Sequence, residues 1–194
     1  MDLREMKTRR SITNAFIAIR SKKPLERITV KELCEKAEVS KATFYLHYHD
    51  IYDLSDTLQQ NVIKDILKYV ETPTDMVLNP RKSGKEMIDG FYANRGMVTT
   101  LFSGSQFSRL PERLIQEIKT VLFEQYPDLK NDVYANVRIT YQLMGSFYAY
   151  YQDEQEYGFE AVHAAVDRIS GLFEQDIKNI SSLRYDILTG NQSE

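Results

Sequence analysis

The chain has 194 residues, with 25 Lys and Arg, 28 Asp and Glu, three His and one Cys, and its net charge is −3. A lone cysteine, Cys34, excludes an intrachain disulfide framework and a zinc site built from several cysteines, and no apolar run reaches the roughly 18 residues of a membrane span. Because the first residues lack the apolar core of a signal peptide, we expect a cytoplasmic protein that has no membrane partner.

The charge is distributed unevenly along the chain. Residues 1–50 carry 11 Lys and Arg against 7 Asp and Glu, a net charge of +4. Residues 51–194 carry 14 against 21, a net charge of −7. A basic segment on an acidic body indicates a polyanionic partner for the basic segment alone.

Helical periodicity dominates the beginning of the chain. Ile12, Phe16 and Ile19 mark the apolar face of a first helix, and Arg20 is predicted to lie outside that face. The Lys23-Pro24 pair ends this helix, because a residue that precedes proline is pushed out of the α region.

Two short helices are predicted to follow. Thr29 and Glu32 have the spacing of a capping box, which begins a helix that runs to about Ala37. Ser40 is the N-cap candidate of the next helix, which runs to about Tyr48. Two short helices that follow a longer one, with three or four residues between them, have the outline of a helix-turn-helix unit.

The rest of the chain is also predicted to be helical, and no strand pattern competes. Asp50 can cap a long helix that continues to Val70 and is stopped by Thr72-Pro73. Further helices are predicted at 83–94, 95–103, 109–126, 129–153 and 158–180. We therefore predict an all-α chain with a helix-turn-helix domain over 1–50, a connecting helix over 51–72 and a C-terminal helical domain over 73–194.

Heptad-like apolar seams mark the last two predicted helices. Their members, spaced alternately by three and four residues, are Tyr134, Val137, Tyr141, Met144, Tyr148 and Tyr151 on one helix and Phe159, Val162, Val166, Ile169 and Phe173 on the other. One antiparallel hairpin cannot cover this surface alone, whereas a second copy of the chain would complete a twofold-symmetric four-helix bundle. The alternative is that the seams pack against the preceding helices of the same chain.

The helix that begins after Ser40 suits insertion into the major groove of DNA. Phe44 and Tyr48, four residues apart, can pack inward. The side chains left for the outer surface are Lys41, Ala42, Thr43, Tyr45 and His47. Lysine can bond guanine or a phosphate, small apolar groups can touch a thymine methyl, and hydroxyl and imidazole groups can bond phosphates. Other candidates for backbone contacts are the helix starts at Thr29 and Asp50, and Ser40 and the basic residues Lys7 and Arg9 are further DNA-binding candidates. The alternative is that the tyrosines are core residues and the basic residues form a solvated face.

Over roughly residues 7–60 the chain resembles the tetracycline-repressor (TetR) family of bacterial regulators. The residues that carry the resemblance are Ala15-Phe16, Ile28-Thr29-Val30-Lys31-Glu32-Leu33, Ala37, Val39-Ser40, Thr43-Phe44-Tyr45, His47-Tyr48, Asp50 and Tyr52-Asp53-Leu54. It implies a homodimeric transcriptional regulator, usually a repressor, which binds a palindromic double-stranded DNA operator and is released when a small molecule binds its C-terminal domain. The family's recognition-helix contacts fall on the five outward residues named above.

Three positions depart from the family's pattern. Glu38 stands in the turn where many members have glycine, which costs energy if the backbone there has a positive φ. Ile51 replaces a common lysine and removes one expected phosphate contact. Lys23-Pro24 replaces a frequent Lys-Gly pair in the first loop.

The resemblance also places a ligand among the helices over 51–151. Candidate lining residues are Met87, Phe91, Tyr92, Met97, Phe102, Phe107, Tyr141, Phe147 and Tyr148. Apolar and aromatic walls with few polar groups suit a lipophilic or aromatic effector. The alternatives are that these are ordinary core side chains, and that the chain is a helical DNA-binding or adaptor protein of the same fold without an effector.

No pattern of catalytic or metal-binding residues competes with this interpretation. His47 and His49 are two residues apart, and on a helix they point in different directions. The sequence has no glycine-rich phosphate loop, nucleophile elbow or HExxH spacing. We therefore expect no enzyme activity, no cofactor and no metal.

Overall fold

The structure is a computed structural model that describes the backbone of residues 3–179 and the side chains of residues 3–174. Within these residues it is all-α and has no strand, which confirms the predicted fold class. The α-helices are α1 (Leu3–Arg20), α2 (Val30–Ala37), α3 (Lys41–Tyr45), α4 (Ile51–Leu67), α5 (Asp75–Leu78), α6 (Pro80–Ala93), α7 (Arg95–Leu101), α8 (Arg109–Gln125), α9 (Val133–Tyr157) and α10 (Phe159–Asn179). The predicted helix end at 180 and domain end at 194 lie outside the described residues.

The described residues form two compact units. The first comprises residues 3–64 and 94–110, and the second comprises residues 65–93 and 111–179. Helix α4 contributes residues to both units. The functional boundaries placed at 50 and 72 from the sequence stay a prediction. No helix in the described part of the chain has the length and apolarity needed to cross a bilayer.

The core of the first unit is built by α1, α2, α3 and α4. Ile12, Phe16, Leu33, Phe44 and Leu54 are all completely buried there. Each lies on the apolar face of its helix, so the 3.6-residue period brings these side chains together. Burial of Phe44 holds the five-residue helix α3 against the longer ones, since a helix this short is not stable alone.

Arg20 corrects one prediction from the sequence, because it is buried rather than outside the apolar face of α1. Its guanidinium donates hydrogen bonds to the carbonyl oxygens of Lys23 at 3.2 Å and Ser103 at 2.8 Å. Burial lowers the pKa of Arg20 from its ordinary value. These carbonyls come from a loop and from a segment distant in sequence, and they compensate part of the desolvation of the charge.

Polar contacts attach residues 94–110 to the rest of the first unit. Buried Gln59 on α4 donates from Nε2 to the Leu101 carbonyl at 3.1 Å and to Gln106 Oε1 at 3.4 Å. Arg109 pairs with Asp56 on the same helix at 3.0 Å. The segment is therefore joined both to α4 and, through Arg20, to the end of α1.

The core of the second unit joins α5, α8 and α9. Val77, Ile118, Leu122 and Ile139 are its buried members. Partly buried side chains that pack around them are Leu67, Met76, Met87, Phe123 and Leu143.

Helices α9 and α10 form an antiparallel hairpin that turns at Gly158, where φ is +81°. Tyr150 on α9 shares a hydrogen bond of 2.7 Å with Nδ1 of His163 on α10. Phe159 stacks on the His163 ring with centroids 5.4 Å apart. Burial raises the pKa of the Tyr150 hydroxyl, so this group stays protonated and hydrogen-bonded at neutral pH. His163 is thus a partly buried histidine with a bonding partner.

Candidate nucleic-acid interface

Helix α3 begins with the cap that the sequence predicts. The Ser40 hydroxyl accepts a hydrogen bond from the Thr43 backbone N–H at 3.0 Å, and the two hydroxyls lie 2.8 Å apart. Such a cap satisfies one of the free N–H groups at a helix start. The contact fixes where α3 begins and in which direction its first turn points.

At the start of α2, one of the two hydrogen bonds of the predicted capping box is formed. The Thr29 hydroxyl accepts from the Glu32 N–H at 3.2 Å. The Glu32 carboxylate accepts instead from Lys23 Nζ at 2.5 Å. Lys23 therefore holds the loop before α2 to the first turn of that helix.

The turn between α2 and α3 passes through the left-handed region. Glu38 has φ 57° and ψ 40°, a positive φ that favours glycine. The Val39 N–H returns to the Cys34 carbonyl at 3.1 Å and closes the turn. The condition stated from the sequence is therefore met, and a non-glycine residue at this φ costs energy.

The two faces of α3 differ sharply in exposure. Phe44 and Tyr48 are buried, with ring centroids 5.8 Å apart, so both pack inward as predicted. Tyr45 is 56% exposed, which excludes the alternative that it is a core residue. The predicted outer side chains comprise exposed Lys41, Ala42 and Tyr45 and half-buried Thr43 and His47.

Leu46 is an outward side chain that the sequence reasoning missed. It follows α3 directly, keeps helical backbone angles, and is 81% exposed. It lies four residues after Ala42, so the two side chains share a face. That spacing is the signal that could have found it, but a leucine between two aromatic residues is more often read as core.

Helix α4 begins with a reciprocal cap. Asp50 Oδ1 accepts from the Asp53 N–H at 2.8 Å, and Asp53 Oδ2 accepts from the His49 N–H at 2.8 Å. Ile51, at the position where the resemblance to the TetR family implies a lysine, is buried. The position serves the core in this chain, and a lysine there would lose its hydration.

The basic candidates on α1 have different surroundings. Lys7 is exposed. Arg9 pairs through Nε with Glu5 at 3.2 Å, and its guanidinium carbon lies 5.8 Å from the centre of the Tyr48 ring. Arg9 therefore supports the inward-facing ring of Tyr48 as well as carrying charge.

The candidate effector residues are divided between the two units. Met97, Phe102 and Phe107 belong to the first unit, where Phe102 is buried in the core. Those in the second unit are Met87, Phe91, Tyr92, Tyr141, Phe147 and Tyr148. Among these, Met87 packs against the core of the second unit, and Tyr92 meets Phe159 edge-on at 5.4 Å.

The seams of α9 and α10 are largely uncovered by the described residues of their own chain. Exposed members are Tyr134, Val137, Tyr141, Tyr148, Tyr151 and Ile169, while Met144, Phe159, Val166 and Phe173 are half-buried. Val162 is buried and so packs within the chain. Tyr141, at 70% exposed, lies at the middle of this α9–α10 face.

Comparison with known proteins finds a distant relative. Over 137 residues the chain is 21% identical to a protein described as an uncharacterized HTH-type transcriptional regulator, YxbF, of Bacillus subtilis (strain 168). The match covers 67% of this chain and 36% of the relative, so it spans about a third of the relative's length. No protein-family profile matches the chain, and no solved structure matches it significantly.

Proposed function

We propose that this protein is a DNA-binding transcriptional regulator of the TetR type, a repressor that binds a near-palindromic operator as a homodimer. The observation that carries the proposal is α3, a capped helix with Phe44 and Tyr48 buried and Lys41, Ala42 and Tyr45 exposed. The printed description of the Bacillus relative, an HTH-type transcriptional regulator, agrees with this function.

The exposed side chains of α3 divide into two chemical roles. Lys41 donates to guanine O6 and N7, and the Ala42 methyl meets a thymine methyl, so these two read bases in the major groove. Thr43, Tyr45 and His47 donate to phosphate oxygens and fix the register of the helix on the duplex. Exposed Lys7 adds positive charge on α1.

Two copies of α3 are needed to read a near-palindrome. The exposed apolar face of α9 and α10 supports pairing of two chains in a four-helix bundle. A twofold axis through this bundle presents α3 twice, and the spacing of the operator half-sites follows from the separation of the two copies.

Release by a small molecule follows from differential binding. An effector held by the second unit lowers operator affinity only if it binds more tightly to a dimer whose α3 copies are wrongly spaced for DNA. Helix α4 supplies residues to both units and is therefore the element through which we expect the shift to pass.

Selection of bound duplexes from a random pool tests the function directly. We expect a near-palindromic consensus, and Tyr45→Ala is expected to weaken binding to it while the dimer remains intact. Lys41→Ala is expected to reduce the free-energy discrimination between bases at one operator position by about 1–3 kcal/mol. Lys68→Ala is the matched control, since it removes the same charge from an exposed residue of the other unit.

Salt dependence separates the proposal from a helical protein-binding adaptor. The logarithm of the operator binding constant should fall linearly with the logarithm of the salt concentration, with a slope near −0.9 for each phosphate contact. Removal of one phosphate contact should make this slope shallower by about one. Absence of duplex binding at low salt, or equal affinity of wild type, Tyr45→Ala and Lys41→Ala, would overturn the assignment of α3.

A further inference from the structure

Arg138 on α9 is a buried cation with few partners. The side chain is 5% exposed and lies on the inward face of the helix with Ala135 and Ile139. Its Nη2 donates to the Val77 carbonyl at 2.8 Å. Its Nη1 is buried and has no hydrogen-bond partner among the described residues.

The charge of Arg138 is not balanced by an acidic side chain among residues 3–174. Burial lowers the pKa of Arg138 to about 10, so the guanidinium is still positive at neutral pH. No carboxylate of residues 3–174 forms an ion pair with it. Buried Asp75, on the helix that also holds Val77, is by contrast paired with Lys82 at 2.8 Å. An unpaired buried charge is unfavourable, and a bound anion would compensate it.

The guanidinium of Arg138 bonds to a residue of the apolar core of the second unit. Val77, whose carbonyl accepts from Arg138, is a member of the buried core that includes Ile118 and Ile139. Met76 and Met87 border the same core and are partly buried. Methionine side chains are flexible and polarizable, so they adapt to apolar groups of different shapes.

We propose that Arg138 binds the carboxylate of an amphipathic organic acid whose apolar part packs against the Met76 and Met87 side of this core. The guanidinium fork matches a carboxylate, to which the unpartnered Nη1 can donate. A carboxylate carries one negative charge and neutralises Arg138. A phosphate carries up to two negative charges at neutral pH and would leave an excess of buried negative charge. The inference rests on the proposed function only in naming this acid the effector.

Arginine side-chain NMR tests the site in the intact protein without DNA. Full-length chain labelled with ¹⁵N-arginine is titrated with decanoate, acetate and decan-1-ol at constant ionic strength, and the Arg138 Nε–H signal is assigned by its loss in Arg138→Lys. We expect a saturable shift of this signal with decanoate, a weaker saturable shift with acetate, and none with decan-1-ol. Absence of a saturable shift with both carboxylates, or an equal shift with the alcohol, would overturn the proposal.

Thermal unfolding of variants gives an independent readout. Decanoate should raise the melting temperature of wild type and of Arg168→Met, a matched change at an exposed arginine, but not that of Arg138→Met. Arg138→Lys keeps the charge without the fork, and we expect decanoate affinity to fall about tenfold, as for loss of one charge-assisted hydrogen bond. Stabilisation of Arg138→Met equal to that of wild type would contradict the site.

Operator binding of the same ligand-free samples is measured separately. Carboxylate binding without operator binding would overturn the proposed function and leave the Arg138 site standing. Operator binding without carboxylate binding would overturn the Arg138 site and leave the proposed function standing.

Discussion

Glu38, in the turn between α2 and α3, has a backbone conformation that suits glycine. It is the non-glycine residue with positive φ among those that the structure describes. In the left-handed region the Cβ atom approaches the following carbonyl oxygen, which costs roughly 1–2 kcal/mol. The strain lies directly before the proposed recognition helix, so the closing hydrogen bond from Val39 to Cys34 and the burial of Phe44 must maintain it.

Replacing Glu38 with glycine should stabilise the protein. We expect Glu38→Gly to raise the free energy of unfolding by about 0.5–1 kcal/mol, since relief of the left-handed strain exceeds the entropy that glycine adds to the unfolded chain. Urea unfolding followed by circular dichroism measures it. Glu38→Ala, which removes the same charge and keeps Cβ, should give no such gain. A glycine variant no more stable than the alanine variant would contradict the strain.

Individual residues were predictable from the sequence where their partners are close in the chain. The caps at Thr29, Ser40 and Asp50 bond to groups three residues away, so spacing alone finds them. Arg20 and Arg138 were not found, because their acceptors, at Ser103 and Val77, lie 83 and 61 residues away. Burial of an arginine depends on hydrogen-bond acceptors from segments distant in sequence, and a local sequence pattern does not predict these.

The packing of α6 on the last turn of α4 depends on a glycine. A Cβ atom at Gly90 would lie 2.5 Å from the Ile66 carbonyl oxygen and 3.1 Å from Cδ2 of Tyr69. Gly84, on the same helix, has nothing within 4 Å of the corresponding position. The two glycines therefore separate the effect of close packing from the effect of helix propensity.

Alanine at these two positions should change stability in opposite directions. Gly90→Ala should lower the free energy of unfolding by about 1–3 kcal/mol, because the backbone of α4 must move away. Gly84→Ala should raise it by about 0.5–1 kcal/mol, because alanine loses less entropy in a helix. Chemical denaturation of both variants measures the difference. Equal effects at the two positions would show that α6 does not approach α4 this closely.

Helix ends were predictable to within a few residues, with informative exceptions. α6 begins at Pro80 rather than 83, since the fixed φ of proline suits the first position of a helix. α5 occupies Asp75–Leu78, between the predicted helix stop at Pro73 and the predicted helix start at 83, because four residues are too few to show a period. α3 ends at Tyr45 although the apolar pattern extends to Tyr48, so the pattern reports packing beyond the helix end.

At the scale of the whole molecule, the α9–α10 face is an extended exposed apolar surface among the described residues. Large apolar side chains stand exposed along both helices, and exposed Gly145, Ala161 and Ala165 leave room for another backbone. Contiguous exposed apolar patches of this kind mark protein contacts more often than free surface. The seams were visible in the sequence, but only the three-dimensional packing separates Val162, which faces inward, from Tyr141, which does not.

A charge placed on this face should prevent two chains from pairing. Tyr141→Asp introduces a carboxylate twice across a twofold interface and removes a central aromatic ring, so we expect the dimer to weaken about a hundredfold or more. Tyr69→Asp is the control, since it makes the same change at an exposed tyrosine that belongs to neither α9 nor α10. Sedimentation velocity over a range of concentrations measures the association.

The same variant links assembly to the proposed activity. A monomer engages one half-site at a time and loses the gain in effective concentration that a linked pair enjoys, so operator affinity of Tyr141→Asp should fall with its dimerisation. Affinity for a single half-site should stay unchanged, because α3 lies in the other unit. A Tyr141→Asp protein that still sediments as a dimer would place the pairing surface elsewhere, and a monomer with full operator affinity would mean that one copy of α3 suffices.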